Sequence, residues 1–585
     1  MPFWRRLTQL FKKKKAPKSP DPPKSPDPEV LLDDELDISE RENIERQLKL
    51  TGKLKDDLEV LKLMAGPSPD VVITELKAGR SEVPVALCRI SALSDQQLVE
   101  NIKHMLGWGM LEAPIPEKGA AALYEQFRTR LLTSSEVKEV QTSIDIWNAL
   151  AHGNSAVLFD GVDKALICNT ENVPVRSLKE PEGETLIRGP REGFIESLST
   201  NIALLRKRIK TPNLWVEKVT LGHLSRTDVA IVYIKGLAHE ELLAEVRQRV
   251  HRIEVDAVLE SGYIEDLIQD QAYSILPLVI RTERVDRVAS SLLEGRVAIL
   301  TDNTPFALIL PITLPMLFQA PDDYYEKVPI GIFFRWLRAG AFLLSILLPG
   351  VYVAILTFHD ELMPAELLVR IIANRESVPF PVWFEVLMME MVFELLREAG
   401  VRLPRAIGPA ISIVGALVLG EAAIRAGLVS PAVVIIVALT AISSFTVPTF
   451  SFGIGARLYR FFFILLGSIF GLFGIQFGIL SLLILLCSYR SFGYPYFAPL
   501  GPLIVSDMKD TLFKAPVWAM TTRPKLEGSR EPERTPPGRQ PRQVLDKEAK
   551  EQKWDLKKKS VKTEGAGAPP KRKGGRKPHE SGENQ

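Results

Sequence analysis

Long runs without a single Asp, Glu, Lys or Arg occupy the second half of this chain: residues 339–358 (AGAFLLSILLPGVYVAILTF), 426–456 and 461–489, with a shorter run at 406–420. A helix needs about 20 apolar residues to cross a hydrocarbon core of about 30 Å. Within lipid it must also satisfy all of its own backbone polar groups. The pattern predicts an all-α polytopic membrane domain with spans near 339–358, 380–396, 406–424, 428–449 and 461–487. Pro349 and Pro448 fall inside spans, where neighbouring helices can satisfy the freed groups.

Lys/Arg placement orients these spans. Arg335 and Arg338, then Arg397, Arg402 and Arg405, then Arg457 and Arg460 all fall on the side of the N-terminal half, which the positive-inside rule makes cytoplasmic. Five full crossings would leave a basic C-terminal tail outside. The uncharged, Pro- and Gly-rich stretch 491–506 (SFGYPYFAPLGPLIVS) is therefore expected to re-enter the membrane and return, keeping that tail inside.

The net charge of +2 over 585 residues hides this asymmetry. Residues 1–28 carry eight Lys/Arg against two Asp, and 522–585 carry eighteen against ten Asp/Glu, so the middle is acidic. That distribution excludes a single soluble globule, a nucleic-acid-binding core and a mainly disordered chain. Three well-separated cysteines (Cys88, Cys168, Cys487) exclude a disulfide scaffold and suit a reducing compartment. Arg5 and Arg6 interrupt the place where an export signal would need its apolar run. Phe3, Trp4, Leu7, Leu10 and Phe11 beside Lys12–Lys15 allow either an amphipathic anchor on anionic lipid or a solvated basic tail.

Five regions follow: a basic Pro-rich linker and peripheral helix (1–67), two cytoplasmic α/β lobes (68–190 and 191–328), a helical transmembrane domain (329–515) and a basic disordered tail (516–585). The fold class is thus an α+β cytoplasmic region of two small lobes followed by an all-α membrane domain. In the first lobe, VVITEL, VPVALCRI, SAVLFDG and ALICNT read as strands, and 94–106 and 134–151 as helices. In the second, helix 193–209, strands 214–221 and 227–235 and helix 238–251 precede 255–268, which reads as strand or helix.

Neither lobe carries a phosphate-binding Gly-rich motif or a zinc-protease motif, and the seven histidines stand in no metal spacing with the cysteines. No enzyme, metal or cofactor is expected. The run Arg188–Gly193 (RGPREG) could receive an anion before a helix, or its charges could pair with one another. His359-Asp360-Glu361 could hold a cation, though a solvated loop fits the same residues.

Three membrane features suggest more than anchoring. Gly467, Gly471, Gly474 and Gly478 form a stripe, and Ala416 with Gly420 repeats the small-xxx-small spacing, a pattern that lets helices approach closely. Glu390, Glu394 and Glu398 fall on one helical face within 380–398. They form either a cation-attracting vestibule or the wet side of an interfacial helix. Thr440, Ser443 and Ser444 among apolar residues such as Val437 could line a pore that closes by dewetting, or simply bond back to their own helix.

Several stretches resemble the A-subunit family of bacterial spore germinant receptors: GPREGFIESLSTNIALLRKRI (189–209), ESGYIEDLIQD (260–270), TERVDRVASSLLEGRVAILTDNTPFALILP (282–311), FQAPDDYYEK (318–327), REAGVRLPRAIGPAISIVGALVLGEAAIRAGLVSP (397–431) and SFGYPYFAPLGPL (491–503). They follow one another in the family's order over about 70–510. The resemblance implies a multi-pass protein of the spore inner membrane with a cytoplasmic N-terminal domain. It further implies a transporter-like B subunit and a lipoprotein C subunit as partners. A homo-oligomeric ring would then form a nutrient-gated channel for monovalent cations. Glu421 stands where the family suggests Gln, and Ser274-Ile275-Leu276-Pro277 replaces a stretch richer in Pro and Phe. The rival readings are a non-conducting receptor scaffold and a secondary transporter; no duplicated hydrophobic halves support the latter.

Overall fold

A computed structural model describes residues 36, 38–78, 82–109, 119–132, 137–172, 180–181, 183–402, 418–511, 513–525 and 532–534. The first lobe is a five-stranded sheet of β1 Val71–Ala78, β2 Val83–Ile90, β3 Val137–Val140, β4 Ser155–Phe159 and β5 Ala165–Cys168, in spatial order β1-β2-β4-β5-β3. All neighbours are antiparallel. The second sheet, β6 Leu214–Leu221, β7 Thr227–Ile234, β8 Ile280–Thr282, β9 Val297–Thr301 and β10 Ala307–Leu310, has the order β6-β7-β9-β10-β8. One topology is used twice. β4, β5, β9 and β10 are buried along their whole length, which is why they read as unbroken apolar runs rather than alternating ones.

The helices repeat as well. α1 Ile38–Gln47 and α2 Leu54–Ala65 precede the first sheet, α3 Gln96–His104 and α4 Gly119–Leu132 follow its second strand, and α5 Ser143–Ala151 follows its third. In the second lobe the corresponding helices are α6 Leu198–Arg208, α7 Glu240–His251, α8 Ser261–Ile268 and α9 Val285–Leu292. Side-chain caps set several starts: Asp95, Thr142 and Ser197 each accept a hydrogen bond from a backbone N–H of the first turn. Leu54, Leu58 and Leu61 of α2 enter the core of the first sheet, so that core reaches back before residue 68. Val137 and Val140, inside the helix expected over 134–151, belong instead to β3, and the helix begins at Ser143. Four residues are too few for periodicity to separate strand from helix.

The lobes meet through a buried ion pair. Arg206 donates from Nε and Nη2 to the two carboxylate oxygens of Asp70 (2.5 and 3.0 Å), and its guanidinium lies over the Trp147 ring. Arg41 donates to Asn213 Oδ1 (3.1 Å) and Trp215 Nε1 to the Met64 carbonyl (3.3 Å).

The C-terminal part is helical: α10 Val328–Phe358, α11 Ala365–Arg375, α12 Val382–Arg402, α13 Pro431–Ser444 and α14 Phe450–Ser488. Among the described residues, α10 and α14 are long and apolar enough to cross a membrane. α13, with 14 residues, is about 21 Å long. The expected span 406–424 lies largely outside the described residues.

α14 corrects one expectation. Gly471 has φ 61° and ψ −145°, a conformation open mainly to glycine, and there the helix turns back on itself. A Cβ on Gly474 would collide with the Leu466 carbonyl, and one on Gly478 would lie 2.7 Å from the Phe463 ring. The run 461–487 is thus not one crossing but part of a two-armed hairpin, 450–470 and 472–488. Both ends of the hairpin lie at the second lobe. Arg281 Nη2 donates to Ser451 Oγ (2.9 Å), and Ser491 Oγ donates to the Leu278 carbonyl (2.8 Å).

The first part of the stretch expected to re-enter the membrane, residues 491–497, packs on the second lobe. β11 Arg490–Ser491 pairs with β12 Tyr494–Pro495, and the Tyr496 carbonyl accepts from Leu314 N (2.7 Å). A single apolar core runs from Leu205, Ile280, Leu300 and Leu317 to Ile346, Phe452, Phe463, Tyr489 and Tyr496.

Candidate functional site

Where the second lobe joins the helices, Asp323 is buried and holds two guanidinium groups. It accepts from Arg335 Nε (3.1 Å) and also from Arg338 Nη2. Arg335 Nη1 reaches on to the Asp510 carboxylate (2.9 Å) and carbonyl (3.0 Å), while Tyr324 donates to the other Asp510 oxygen (2.8 Å). Lys514 Nζ donates to the Glu326 carbonyl (2.7 Å), and burial pushes its ammonium below the usual lysine range. Lobe, first long helix and C-terminal segment are thereby tied at one point. Beside it lies a crevice of about 370 Å3 lined by Asp286, Arg287, Met316, Gln319, Tyr325 and Met520, among others. Burial and the neighbouring Asp286 carboxylate raise the Tyr325 phenol well above its ordinary range. Its hydroxyl donates to Asp286 (2.7 Å).

Deeper among the helices sits a cluster of charges. Glu390 and Arg460 are both 0 % exposed and pair at 2.6 Å, and Arg460 Nε donates to the Ser345 carbonyl (2.7 Å). Glu394 lies 2.9 Å from Arg457, 3.7 Å from Arg397 and 4.0 Å from Arg460. Arg397 donates to Ser444 Oγ (2.7 Å) and lies between the rings of Phe393 and Phe445. Glu398 pairs with Arg402 on the outside. The face Glu390/Glu394/Glu398 is therefore taken up by arginines rather than open to cations.

The pore candidates are brought together on α13, but they turn inward. Val437 packs with Val353, Val386, Val433 and Ile464. Thr440 Oγ1 donates to the Ile436 carbonyl and Ser444 Oγ to the Ala441 carbonyl (2.7 Å each), and Ser443 is buried. The open face of α13 is Ile435 (65 % exposed), Leu439 and Ile442.

The glycine stripe has its partners within the chain. A Cβ on Gly467 would lie 2.5 Å from the Gly350 carbonyl of α10, and one on Gly471 would lie 2.7 Å from His359 Cε1. Gly474 and Gly478 close the two arms of α14. Gly420 faces Val434 at ordinary contact distance, and Ala416 lies outside the described residues. His359 thus sits at the α14 bend. In the RGPREG run, Arg188, Arg191 and Glu192 pair with Glu326, Glu180 and Lys207/Arg208.

Spacing along the chain does not disclose the pairing of Glu390 with Arg460 or of Asp323 with Arg335. The available signal was Glu390, Arg335 and Arg460 as charges inside long apolar helices, since such residues usually find a partner.

Two α/β lobes of one topology, the second sharing its core with an apolar helical hairpin, define a protein with a folded head on a membrane-type base. The chain belongs to the family described as Bacillus/Clostridium GerA spore germination protein, whose model matches residues 59–526, and thus to the germinant-receptor A subunits that act in spore germination. It is 45% identical over 484 residues to "Spore germination protein KA" of Bacillus subtilis (strain 168), covering 82% of this chain and 88% of that one. It is 42% identical over 480 residues to "Uncharacterized membrane protein YfkQ" of the same organism (81% and 91% covered). With "Spore germination protein GerLA" of Bacillus cereus it shares 37% over 478 residues (82% and 96%). A solved structure, the N-terminal domain of the A subunit of the Bacillus megaterium spore germinant receptor GerK3, is 32% identical, covers 45% of this chain and 96% of that one, and has a TM-score of 0.36.

Proposed function

We propose that this chain is the membrane subunit of a nutrient receptor in the spore inner membrane, with its lobes in the cytoplasm. In this reading, copies assemble into a ring with transporter-like B and lipoprotein C subunits, and ligand binding to a partner opens a path for monovalent cations. One observation carries the reading: the second lobe and the helical base share a continuous core pinned by Asp323, Arg335 and Asp510. A change of state in one is therefore delivered to the other. The fold-back at Gly471 supports a cytoplasmic C-terminal segment, since both ends of the hairpin return to the lobe. Val437, Thr440, Ser443 and Ser444 act on the gate by holding α13 in place, and Ile435, Leu439 and Ile442 are the side chains turned toward a neighbour or lumen.

A second reading, the non-conducting scaffold, is favoured by the capture of Glu390 and Glu394 by arginines. Reconstitution of the purified receptor into liposomes separates the two. Nutrient-dependent single-channel current supports the channel, saturable solute flux without current supports a transporter, and neither supports the scaffold. Ser444→Ala or Val437→Ala should cause cation leak or premature germination; unchanged ion retention in both would remove α13 from the gate.

A further inference from the structure

The buried cluster does not balance its own charge. Arg397, Arg457 and Arg460 face only Glu390 and Glu394; among the described residues no other carboxylate lies within 4.0 Å of the three guanidinium groups. Residues 403–417 contain no Asp or Glu at all, and Glu398 and Glu385 are committed to Arg402 and Arg375. Arginine does not shed its proton, so a surplus of one positive charge persists where desolvation makes it costly. The surplus is not spread evenly. Glu390 and Arg460 match one another in full burial, whereas Arg397 and Arg457, on either side of Glu394, are 13 % and 16 % exposed. Arg397 Nε is buried without a hydrogen-bond partner. Both residues lie toward the lobe-side ends of their helices, five residues before the end of α12 and seven after the start of α14.

We infer that Arg397 and Arg457 bind one singly charged phosphate-type oxyanion at the lobe-side boundary of the helical base, supplied by the headgroup of an acidic phospholipid or by free phosphate. A phosphodiester carries one negative charge, which matches the surplus, and its oxygens fit the planar guanidinium fork better than a spherical ion does. The lipid source rests on the bilayer placement proposed above; the charge surplus does not.

The test uses full-length protein in non-ionic detergent, its thermal unfolding followed with added phosphatidylglycerol against phosphatidylcholine, and with inorganic phosphate against chloride at equal ionic strength. Phosphatidylglycerol should raise the wild-type midpoint by about 5 °C. Arg397→Gln, which balances the cluster, should abolish the rise, and Arg397→Lys should retain most of it. A response to both anions points to a headgroup site, and a response to inorganic phosphate alone points to a soluble oxyanion. An equal response in Arg397→Gln, or no response to either anion in the wild type, overturns the inference. So does stabilisation that follows protein concentration while ignoring both anions, because a second copy would then supply the missing charge. The phosphate arm needs no bilayer, so its outcome stands apart from the membrane placement.

Discussion

The sheets β1–β5 and β6–β10 run in the same spatial order, yet their surroundings differ. The buried cores of the first lobe draw on residues 48–168, with Ala203 the one described member from beyond. The core of the second lobe continues through Leu314 and Leu317 into Ile346, Phe452 and Tyr496. One architecture thus serves as a self-contained module in one place and as a coupler in the other. What decides is not the sheet but the apolar residues that flank it. The lobes meet around the Arg206–Asp70 ion pair, with Ala203 the buried apolar residue shared, whereas second lobe and helices share a continuous apolar core beside the buried Asp323–Arg335 pair.

This contrast can be broken from either side. The largest effect is expected at Asp323, which balances two buried guanidinium groups: Asp323→Ala should cost about 4 kcal/mol. In limited trypsinolysis it should open the 326–338 junction while leaving first-lobe fragments intact. Arg206→Met leaves Asp70 buried without its cation and should cost about 3 kcal/mol, most of it recovered in Arg206→Met/Asp70→Leu; thermal unfolding of the three variants reads this directly. If Asp323→Ala loosened both lobes equally, the second would not be a separate coupler.

pH should sharpen the comparison further. In α1, burial pushes the Glu45 carboxyl up to about 7. Its stabilising contribution is full below the ordinary carboxylate range and is lost as pH rises through about 7. The first lobe should therefore gain about 2 kcal/mol between pH 8 and pH 5, and Glu45→Gln should flatten that dependence. Glu217 in β6 behaves oppositely. Burial pushes it up, but hydrogen bonds from Arg247 and Tyr233 outweigh burial and hold it below the usual value. Its contribution is present at neutral pH and is lost as pH falls through that lowered value. Hydrogen exchange of the β4 and β9 amides follows the two lobes separately, because Trp147 and Trp215 both lie at the contact between them.

The smallest effect concerns the thiols. Burial pushes Cys88 and Cys168 of the first sheet up to about 12, while Cys487 is exposed on α14. A lipid-soluble maleimide should label Cys487 alone in the folded protein and all three cysteines after denaturation, as read by intact mass.

Much of the second lobe was legible in the sequence. Strands 214–221 and 227–235 and helix 238–251 lie within a residue or two of β6, β7 and α7, because β-branched runs and heptad-like spacing mark them. The repeated topology was not, since equal strand order leaves no trace when the side chains differ. The hairpin was hidden for another reason: apolar composition registers the length of a run, not a reversal of direction within it. Glu390 and Arg460, seventy residues apart, form a pair that spacing along one helix could not disclose. Val437, Thr440, Ser443 and Ser444 do share a region of α13, but which way that face turns depends on α10, α12 and α14.

The reversal at Gly471 has a mechanical corollary. The polypeptide leaves the second lobe at Val328, returns to it at Thr449, leaves again and comes back at Ser491. A body fastened at three places can neither slide nor tip on a single tether, so any torque on this lobe must reach both α10 and the α14 arms together, as a crank turns two rods at once.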